Sequence, residues 1–101
     1  LFEKLGSTYI ARCKANLNYK TIENNVGSFH TDFSYDSGDS MEGIITSILY
    51  VNTNNGGTQF SDGTRVKSVA NRLVKFDCSQ EHASVSCTDE DRRVLINVNY
   101  F

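Results

Sequence analysis

Residues 44–63 read IITSILYVNTNNGGTQFSDG and decide the fold class. The part up to residue 51 is rich in β-branched and aromatic residues, which favour strands over helices. Two clusters of Asn, Gly, Asp and Ser follow, at 54–57 and 61–64, and such residues accept the positive φ of tight hairpins. A strand followed by two turn clusters in quick succession predicts antiparallel β-structure.

The same alternation of short apolar runs and turn residues continues along the whole chain. Strands are predicted at residues 9–19, 28–33, 44–51, 58–60, 64–69, 72–76, 83–87 and 94–101. Helix is predicted only at residues 1–5 and 39–43. A series of short strands with turn signals between them predicts an all-β sandwich, barrel or jelly roll.

Length and charge limit the function classes that remain. With 101 residues, the chain is long enough for one domain with a modest core and too short for two. Its formal net charge of −2 leaves no broad basic surface for nucleic acid or for an anionic membrane. The longest apolar runs are strand-length and fall well short of the ~20 residues that a membrane span needs.

Three cysteines, Cys13, Cys78 and Cys87, lie far apart in the sequence. An odd number without a Cys-x-x-Cys pair argues against a zinc knuckle and against a disulfide framework. Reduced thiols in a cytosolic protein are therefore expected, with Cys78 and Cys87 as small buried hydrophobic residues.

The two histidines of the chain, His30 and His82, are candidate metal ligands. His30 lies in the alternating stretch FHTDF at residues 29–33, where it shares a strand face with Asp32. This spacing suits the ligation of one ion by both side chains, and an imidazole with a carboxylate suits Fe(II). With His82 as a third ligand, three coordination positions stay open, as in non-haem Fe(II) oxygenases. Taken alone, each histidine also fits a hydrogen-bonded or turn residue with no ligand role.

Two arginines, Arg92 and Arg93, open the last predicted strand shortly after His82. A guanidinium at this place could bind the far carboxylate of a dicarboxylate in a bidentate manner. If the alternating apolar residues of this strand pack outside the barrel, Arg93 points inward, and the residues that share its face are Leu95, Asn97 and Asn99.

In this order, the motifs resemble the catalytic core of the 2-oxoglutarate- and Fe(II)-dependent oxygenases, especially the prolyl 4-hydroxylase-like group. The resemblance covers residues 9–101, and the order of the motifs is more specific than any one of them. It rests on residues 30–32, 48–52, 56–60, 71–77, 81–82 and 93–101. The chain is also similar to short oxygenase-like proteins of marine cyanophages, which implies a virus-encoded protein acting in the host cytosol.

The resemblance implies a double-stranded β-helix, a jelly-roll barrel that holds a metal ion in its mouth with minimal helix. It assigns Fe(II) to His30, Asp32 and His82, and 2-oxoglutarate to the metal and to an arginine. Spacing from His82 favours Arg92 as this arginine, whereas the match of the final strand favours Arg93, which we prefer.

Two further positions bear on how 2-oxoglutarate would bind. Tyr50 matches a strand tyrosine that, in prolyl-hydroxylase relatives, hydrogen-bonds the distal carboxylate of 2-oxoglutarate, and it fits equally well as an aromatic of the barrel core. Leu95 departs from the family, which often has a small hydroxyl residue two places after the arginine.

The resemblance implies hydroxylation of a C–H bond in a prolyl-type peptide or a small molecule, with O₂ as co-substrate and ascorbate as an accessory. Beyond the metal ligands, no catalytic residue is expected. The alternatives are a non-catalytic, cupin-like ligand-binding module and a structural β-sandwich in which His30 and His82 lie far apart. A single domain over 1–101 leaves little room for helices that cover the larger sheet, so we expect a homodimer or missing N-terminal helices.

Overall fold

Seven β-strands build the part of the chain that the computed structural model describes, residues 10–32 and 44–100. They are β1 (Ile10–Tyr19), β2 (Ile45–Tyr50), β3 (Gly57–Phe60), β4 (Arg65–Lys67), β5 (Leu73–Asp77), β6 (His82–Val85) and β7 (Arg92–Tyr100). One sheet has four strands in the order β1-β7-β2-β5, and the other has three in the order β4-β3-β6. All of the strand pairs are antiparallel.

The chain passes back and forth between the two sheets. After β2 it enters the smaller sheet for β3 and β4, returns to the larger sheet for β5, and repeats the crossing for β6 and β7. The result is an all-β jelly roll of the cupin-like, double-stranded β-helix type, as predicted from the sequence. The regions predicted to be helical, 1–5 and 39–43, lie outside the described residues. Within residues 10–32 and 44–100, no helix is long and apolar enough to cross a membrane.

The strand predicted at residues 28–33 is not formed, as far as the described residues reach. Instead, the segment touches β6 at two isolated bridges, Val26 with Val85 and His30 with His82. The His30 bridge has two backbone hydrogen bonds of 3.0 Å, one in each direction. A continuous ladder is absent between the bridges, where Gly27 and Ser28 supply little side-chain packing to favour a strand. The segment still occupies the edge of the smaller sheet, beside β6.

The alternation of side chains on the larger sheet separates the inner from the outer face. Ile48, Tyr50 and Leu95 form a buried cluster on the face toward the smaller sheet, with Val66, Val74 and Phe76 packed against it. On the opposite face, Val98 and Tyr100 are buried with Ile45, Leu73 and Ile96. Leu17 and Tyr19 lie on the same outer face and are exposed, so the outer face is covered at one end only. The expected homodimer or missing N-terminal helices remain a prediction.

Glycines serve two different purposes in the two predicted turn clusters. Gly63, in the second cluster, has a φ of 94°, as a tight hairpin requires. The first cluster differs from the prediction, because neither Gly56 nor Gly57 has a positive φ. These two glycines permit close approach instead. A Cβ on Gly57 would overlap the Val66 carbonyl oxygen, and a Cβ on Gly56 would lie 3.0 Å from Cδ of Arg93.

Alanine substitutions at three glycines should lower the free energy of unfolding by different amounts, according to what each glycine provides. Gly57→Ala forces the backbones of β3 and β4 apart and should lower the free energy of unfolding by about 3 kcal/mol or more. Gly63→Ala meets nothing within 4 Å and is strained only by its φ, so a loss of about 1–2 kcal/mol is expected. Gly27→Ala is the control, since its Cβ would make an ordinary contact of 3.5 Å with the Ser84 carbonyl oxygen. Urea denaturation measures all three, and equal losses for Gly57→Ala and Gly27→Ala would contradict the close-approach interpretation.

Candidate functional site

His30, Asp32 and His82 converge at one end of the barrel. His82 is the first residue of β6, and the backbone bridge described above places His30 beside it, with ring centroids 4.6 Å apart. The alternative of a structural β-sandwich requires the two histidines to lie far apart, and this short separation argues against it. The ring of Phe76 packs edge-on against His82 at 4.8 Å and so fixes the orientation of the imidazole.

The three side chains face one another through atoms that can bind a cation. Oδ1 of Asp32 lies 3.3 Å from Nε2 of His82 and 3.9 Å from Nε2 of His30. One ligand atom from each residue can be chosen so that all three lie within 4.8 Å of one another. His82 is buried and the Asp32 side chain is 2% exposed, whereas the His30 side chain is 54% exposed. The site is therefore open to solvent on the His30 side.

A carbonyl oxygen two residues earlier sets the tautomer of each histidine. Nδ1 of His30 lies 3.1 Å from the Ser28 carbonyl oxygen, and Nδ1 of His82 lies 3.0 Å from that of Gln80. Because a carbonyl can only accept, each Nδ1 carries a hydrogen, and Nε2 is the nitrogen turned toward Asp32. A protonated His82 donates from Nε2 to Oδ1 of Asp32, whereas a neutral ring presents its lone pair there. Lone pairs from two nitrogens and a carboxylate then point at a common space. Such a space suits a cation.

The charges of Asp32 and His82 support this interpretation. Burial alone would raise the pKa of Asp32, but hydrogen bonds from His82, Asn99 and Thr46 outweigh it and hold the pKa well below its usual range. Burial alone would lower the pKa of His82, and the contact with Asp32 raises it overall. Asp32 is thus an anion that attracts positive charge to the space between the rings.

The donor set fits a divalent non-haem metal. Two imidazole nitrogens and one carboxylate oxygen on one face are the ligands of Fe(II) oxygenase sites. Ligand atoms roughly 2.1 Å from a common ion at right angles lie about 3 Å apart. The observed 3.3 and 3.9 Å are therefore close to the spacing needed, and small rotations of the rings would complete the site.

The second oxygen of Asp32 is held by residues that the sequence did not single out as ligand partners. Asn99 donates from Nδ2 to Oδ2 at 2.8 Å, and Thr46 donates from its hydroxyl at 3.1 Å. Nη2 of Arg12 lies 3.9 Å from the same oxygen. The alternation of the last strand correctly predicts that Asn99 faces inward, but nothing in the sequence connects it to Asp32. Thr46 carries no signal beyond its place in a predicted strand.

A cavity of about 160 Å³ extends from the two histidines toward Arg93. Leu95 and Asn97 of β7 line it together with Arg93, which agrees with the predicted inward face of this strand. Arg92 points the other way and is exposed. Of the two candidate arginines, the structure brings only Arg93 to the cavity.

Arg93 is a buried cation without a carboxylate partner among the described residues. It is 1% exposed, and its guanidinium donates to Oγ of Ser84 at 3.0 Å and to the Gly57 carbonyl oxygen at 2.7 Å. Its Nε is buried and has no hydrogen-bond partner within residues 10–32 and 44–100. Burial lowers the pKa of Arg93, and the nearby Tyr50 and Cys87 oppose this only in part. An anion in the cavity would stabilise this guanidinium.

Tyr50 lies beside this arginine without lining the cavity itself. The residue is fully buried, and its hydroxyl is 2.7 Å from Oγ1 of Thr58, which does line the cavity. Burial raises the pKa of Tyr50. Both the core and the binding interpretations of Tyr50 therefore have a counterpart in the structure. The predicted burial of Cys78 and Cys87 is confirmed, and neither residue forms a disulfide.

An all-β jelly roll with two histidines and an aspartate at its mouth defines a class of metal-dependent proteins. The sequence profile of the 2OG-Fe(II) oxygenase superfamily matches residues 17–101, and the chain belongs to this superfamily. Membership implies Fe(II) and 2-oxoglutarate as cofactors, and the His-Asp-His group is a site that fits the metal. No curated protein matches the sequence closely enough to serve as a relative.

Two solved structures share the fold. The chain is similar to the nickel complex of a non-heme monooxygenase, ThoJ, with a TM-score of 0.73 and 12% identity over 92% of this chain. It spans 44% of the length of that protein. A cupin protein from Bacteroides fragilis is similar with a TM-score of 0.58 and 9% identity, over 99% of this chain and 72% of that one. At these identities the similarity concerns the fold alone.

Anaerobic titration with Fe(II) tests the metal site. The wild-type chain should bind one equivalent, and His30→Ala, Asp32→Ala and His82→Ala should each weaken binding by at least about 100-fold, since each removes a ligand. Glu81→Ala is the matched control, because Glu81 is an exposed carboxylate next to His82 in the sequence and should leave the affinity unchanged. Tight binding by the Asp32→Ala variant would contradict the site.

Proposed function

We propose that the protein is a 2-oxoglutarate-dependent Fe(II) dioxygenase that hydroxylates a C–H bond of a peptide, of prolyl type, or of a small molecule. His30, Asp32 and His82 hold the metal, and Arg93 binds the distal carboxylate of 2-oxoglutarate. Superfamily membership supports the reaction class, and the geometry of the cavity supports the residue roles.

One observation carries the proposal more than any other. The cavity that begins at the His-Asp-His group also contains a buried guanidinium with no carboxylate partner among the described residues. A buried cation of this kind is costly unless it is paired. A dicarboxylate that reaches both ends of the cavity would pair with Arg93 at one end and contact the metal at the other.

The residues divide the work of binding and orientation. Hydrogen bonds to Ser84 and to the Gly57 carbonyl fix the plane of the Arg93 guanidinium. The guanidinium therefore faces a bound carboxylate in one orientation. Thr58 offers a hydroxyl to the same region and is itself oriented by Tyr50. When bound, Fe(II), 2-oxoglutarate and O₂ supply the oxidation, which yields succinate, CO₂ and a hydroxylated product. Leu95 and Ile48 line the middle of the cavity and limit the access of water there.

The substrate approaches from the His30 side in this proposal. The ring of His30 is half exposed, while His82 and Asp32 are buried, so the open face of the metal site lies beside His30. A substrate that enters here meets Asn16 and Asn18 of β1, which line the same cavity. Amide side chains suit a polar substrate such as a peptide. The net charge of −2 argues against nucleic acid.

The location of the protein is part of the proposal. Cys13, Cys78 and Cys87 form no disulfide, which is consistent with a reducing compartment, and we propose the cytosol, which for a virus-encoded protein is that of the host. Ascorbate would act there as an accessory reductant.

Substitution of the two arginines tests the proposed role of Arg93. Arg93→Met should raise the KM for 2-oxoglutarate by about 10–100-fold, because it removes a charge-assisted hydrogen-bonded pair. Arg92→Met should leave the KM unchanged, since Arg92 is exposed. Succinate release with Fe(II) and O₂, in the presence of candidate peptides, measures both variants. Equal effects of the two substitutions would contradict the assignment of Arg93.

Tyr50→Phe separates the two interpretations of Tyr50. It removes the hydroxyl bonded to Thr58. If Tyr50 acts through Thr58, this substitution should raise the KM for 2-oxoglutarate, but by less than Arg93→Met does; if Tyr50 only packs in the core, the KM should not change.

The proposed function itself would be overturned by wild-type protein that shows no succinate release and, without O₂, no change in the absorption of its Fe(II) complex on addition of 2-oxoglutarate. A non-catalytic module would bind a ligand and show the same absence of turnover.

A further inference from the structure

Within the described residues, the contacts that hold Asp32 are made by its side chain, since no backbone hydrogen bond of Asp32 occurs there. The backbone of this segment is tied to β6 by the two hydrogen bonds between His30 and His82. The carboxylate is nevertheless buried, with 2% of the side chain exposed. Something other than the strand ladder therefore determines which carboxylate oxygen faces the histidines.

The two oxygens of this carboxylate have separate surroundings. Oδ1 faces Nε2 of both histidines, at 3.3 and 3.9 Å. Oδ2 accepts hydrogen bonds from Nδ2 of Asn99 at 2.8 Å and from the hydroxyl of Thr46 at 3.1 Å, and Nη2 of the half-exposed Arg12 lies 3.9 Å from it. The division is complete, since no donor in this group serves both oxygens.

Thr46 and Asn99 are themselves fixed by the larger sheet. They are direct neighbours in the register of β2 with β7, and both are fully buried. Nδ2 of Asn99 also lies 2.9 Å from Oγ1 of Thr46. On the other side, Oδ1 of Asn99 accepts a hydrogen bond of 3.1 Å from Nε of Arg12, its register neighbour on β1. The pair thus lies in a hydrogen-bonded row across three adjacent strands, which leaves it little freedom to move.

We propose that Thr46 and Asn99 form a brace that holds Oδ2 of Asp32, so that Asp32 binds the metal through Oδ1 alone. A carboxylate that is free to rotate can chelate the metal with both oxygens and so occupy two coordination positions instead of one. The proposed reaction needs three open positions, two for 2-oxoglutarate and one for O₂. By keeping Oδ2 engaged, the brace preserves the third open position. Thr46 and Asn99 are positioning residues, and they do not touch the metal or the substrate.

This inference rests on the proposed metal site, and Co(II) is a suitable probe because its binding can be measured without turnover. Isothermal titration with Co(II) should show that Asn99→Leu and Thr46→Val each weaken binding by roughly 10–100-fold, the usual effect of losing a group that orients a metal ligand. Thr46→Ser keeps the hydroxyl and should bind within about threefold of the wild type. Thr46→Val keeps the shape of threonine, so the pair of Thr46 variants decides the test even if Asn99→Leu does not fold.

Ser47→Ala is the matched control for loss of a buried hydroxyl. Ser47 is the next residue of β2, is 1% exposed, and bonds the Val98 carbonyl on the opposite face of the sheet. It should bind Co(II) like the wild type. The brace is overturned if Thr46→Val and the folded Asn99→Leu bind Co(II) as tightly as the wild type, or if Thr46→Ser or Ser47→Ala loses as much affinity as Thr46→Val.

A second measurement separates positioning from simple stabilisation. At saturating Co(II), Thr46→Val should bind 2-oxoglutarate about 10-fold more weakly than the wild type, because the released Oδ2 competes for a coordination position. Unchanged 2-oxoglutarate affinity at saturating Co(II) would overturn this consequence of the brace. If wild-type protein binds Co(II) but not 2-oxoglutarate, the proposed function fails while the Co(II) affinities still test the brace. If wild-type protein does not bind Co(II), the metal site itself fails.

Discussion

Burial of the Asp32 carboxylate is the constraint to which the surrounding side chains conform, because a carboxylate taken out of water is costly unless donors or cations surround it. The structure supplies these on two sides. The larger sheet satisfies one oxygen through Thr46 and Asn99, and the histidines face the other. Each histidine in turn depends on a backbone carbonyl that fixes its tautomer. The geometry of the candidate metal site is therefore a consequence of how one negative charge is accommodated.

At the opposite end of the cavity, the buried charge of Arg93 is accommodated in a different way. Arg93 is as deeply buried as Asp32, but its hydrogen-bond acceptors within the described residues are neutral, the Ser84 hydroxyl and the Gly57 carbonyl. Close approach of this arginine is possible because Gly56 carries no side chain. At one end of the cavity, donors of the protein surround the negative charge of Asp32. At the other end, the positive charge of Arg93 contacts only neutral acceptors among the described residues, so the cavity is electrostatically matched to an anionic ligand.

The sequence predicts the features that depend on local pattern and misses those that depend on distant pairing. Alternation in the last strand predicts that Arg93, Leu95 and Asn97 share a face, and all three line the cavity. The prediction of a strand at 28–33 was wrong within the described residues, because the segment is held by isolated bridges to β6. No pattern connects Asp32 with Asn99, which lies 67 residues later and meets it only through the fold.

The glycines illustrate the same difference at short range. The sequence predicts turn conformations for both glycine-containing clusters, and Gly63 has the expected positive φ while Gly57 does not. What Gly57 provides is space for the backbone of β4, and space is a property of the neighbouring strand rather than of the cluster itself. The sequence can therefore indicate that a position requires glycine, whereas the physical reason becomes visible only once the strand register is known.

The central strand β7 makes the two ends of the cavity depend on each other. It pairs with β1 on one side and with β2 on the other, and it carries both Arg93 and Asn99 on its inner face. Because side chains alternate, a slip of one residue would turn both of them to the outer face and bring apolar residues into the cavity. They lie six positions apart on extended strand, roughly 20 Å of backbone. The register of one strand thus sets both the position of the buried guanidinium and the support of the Asp32 carboxylate.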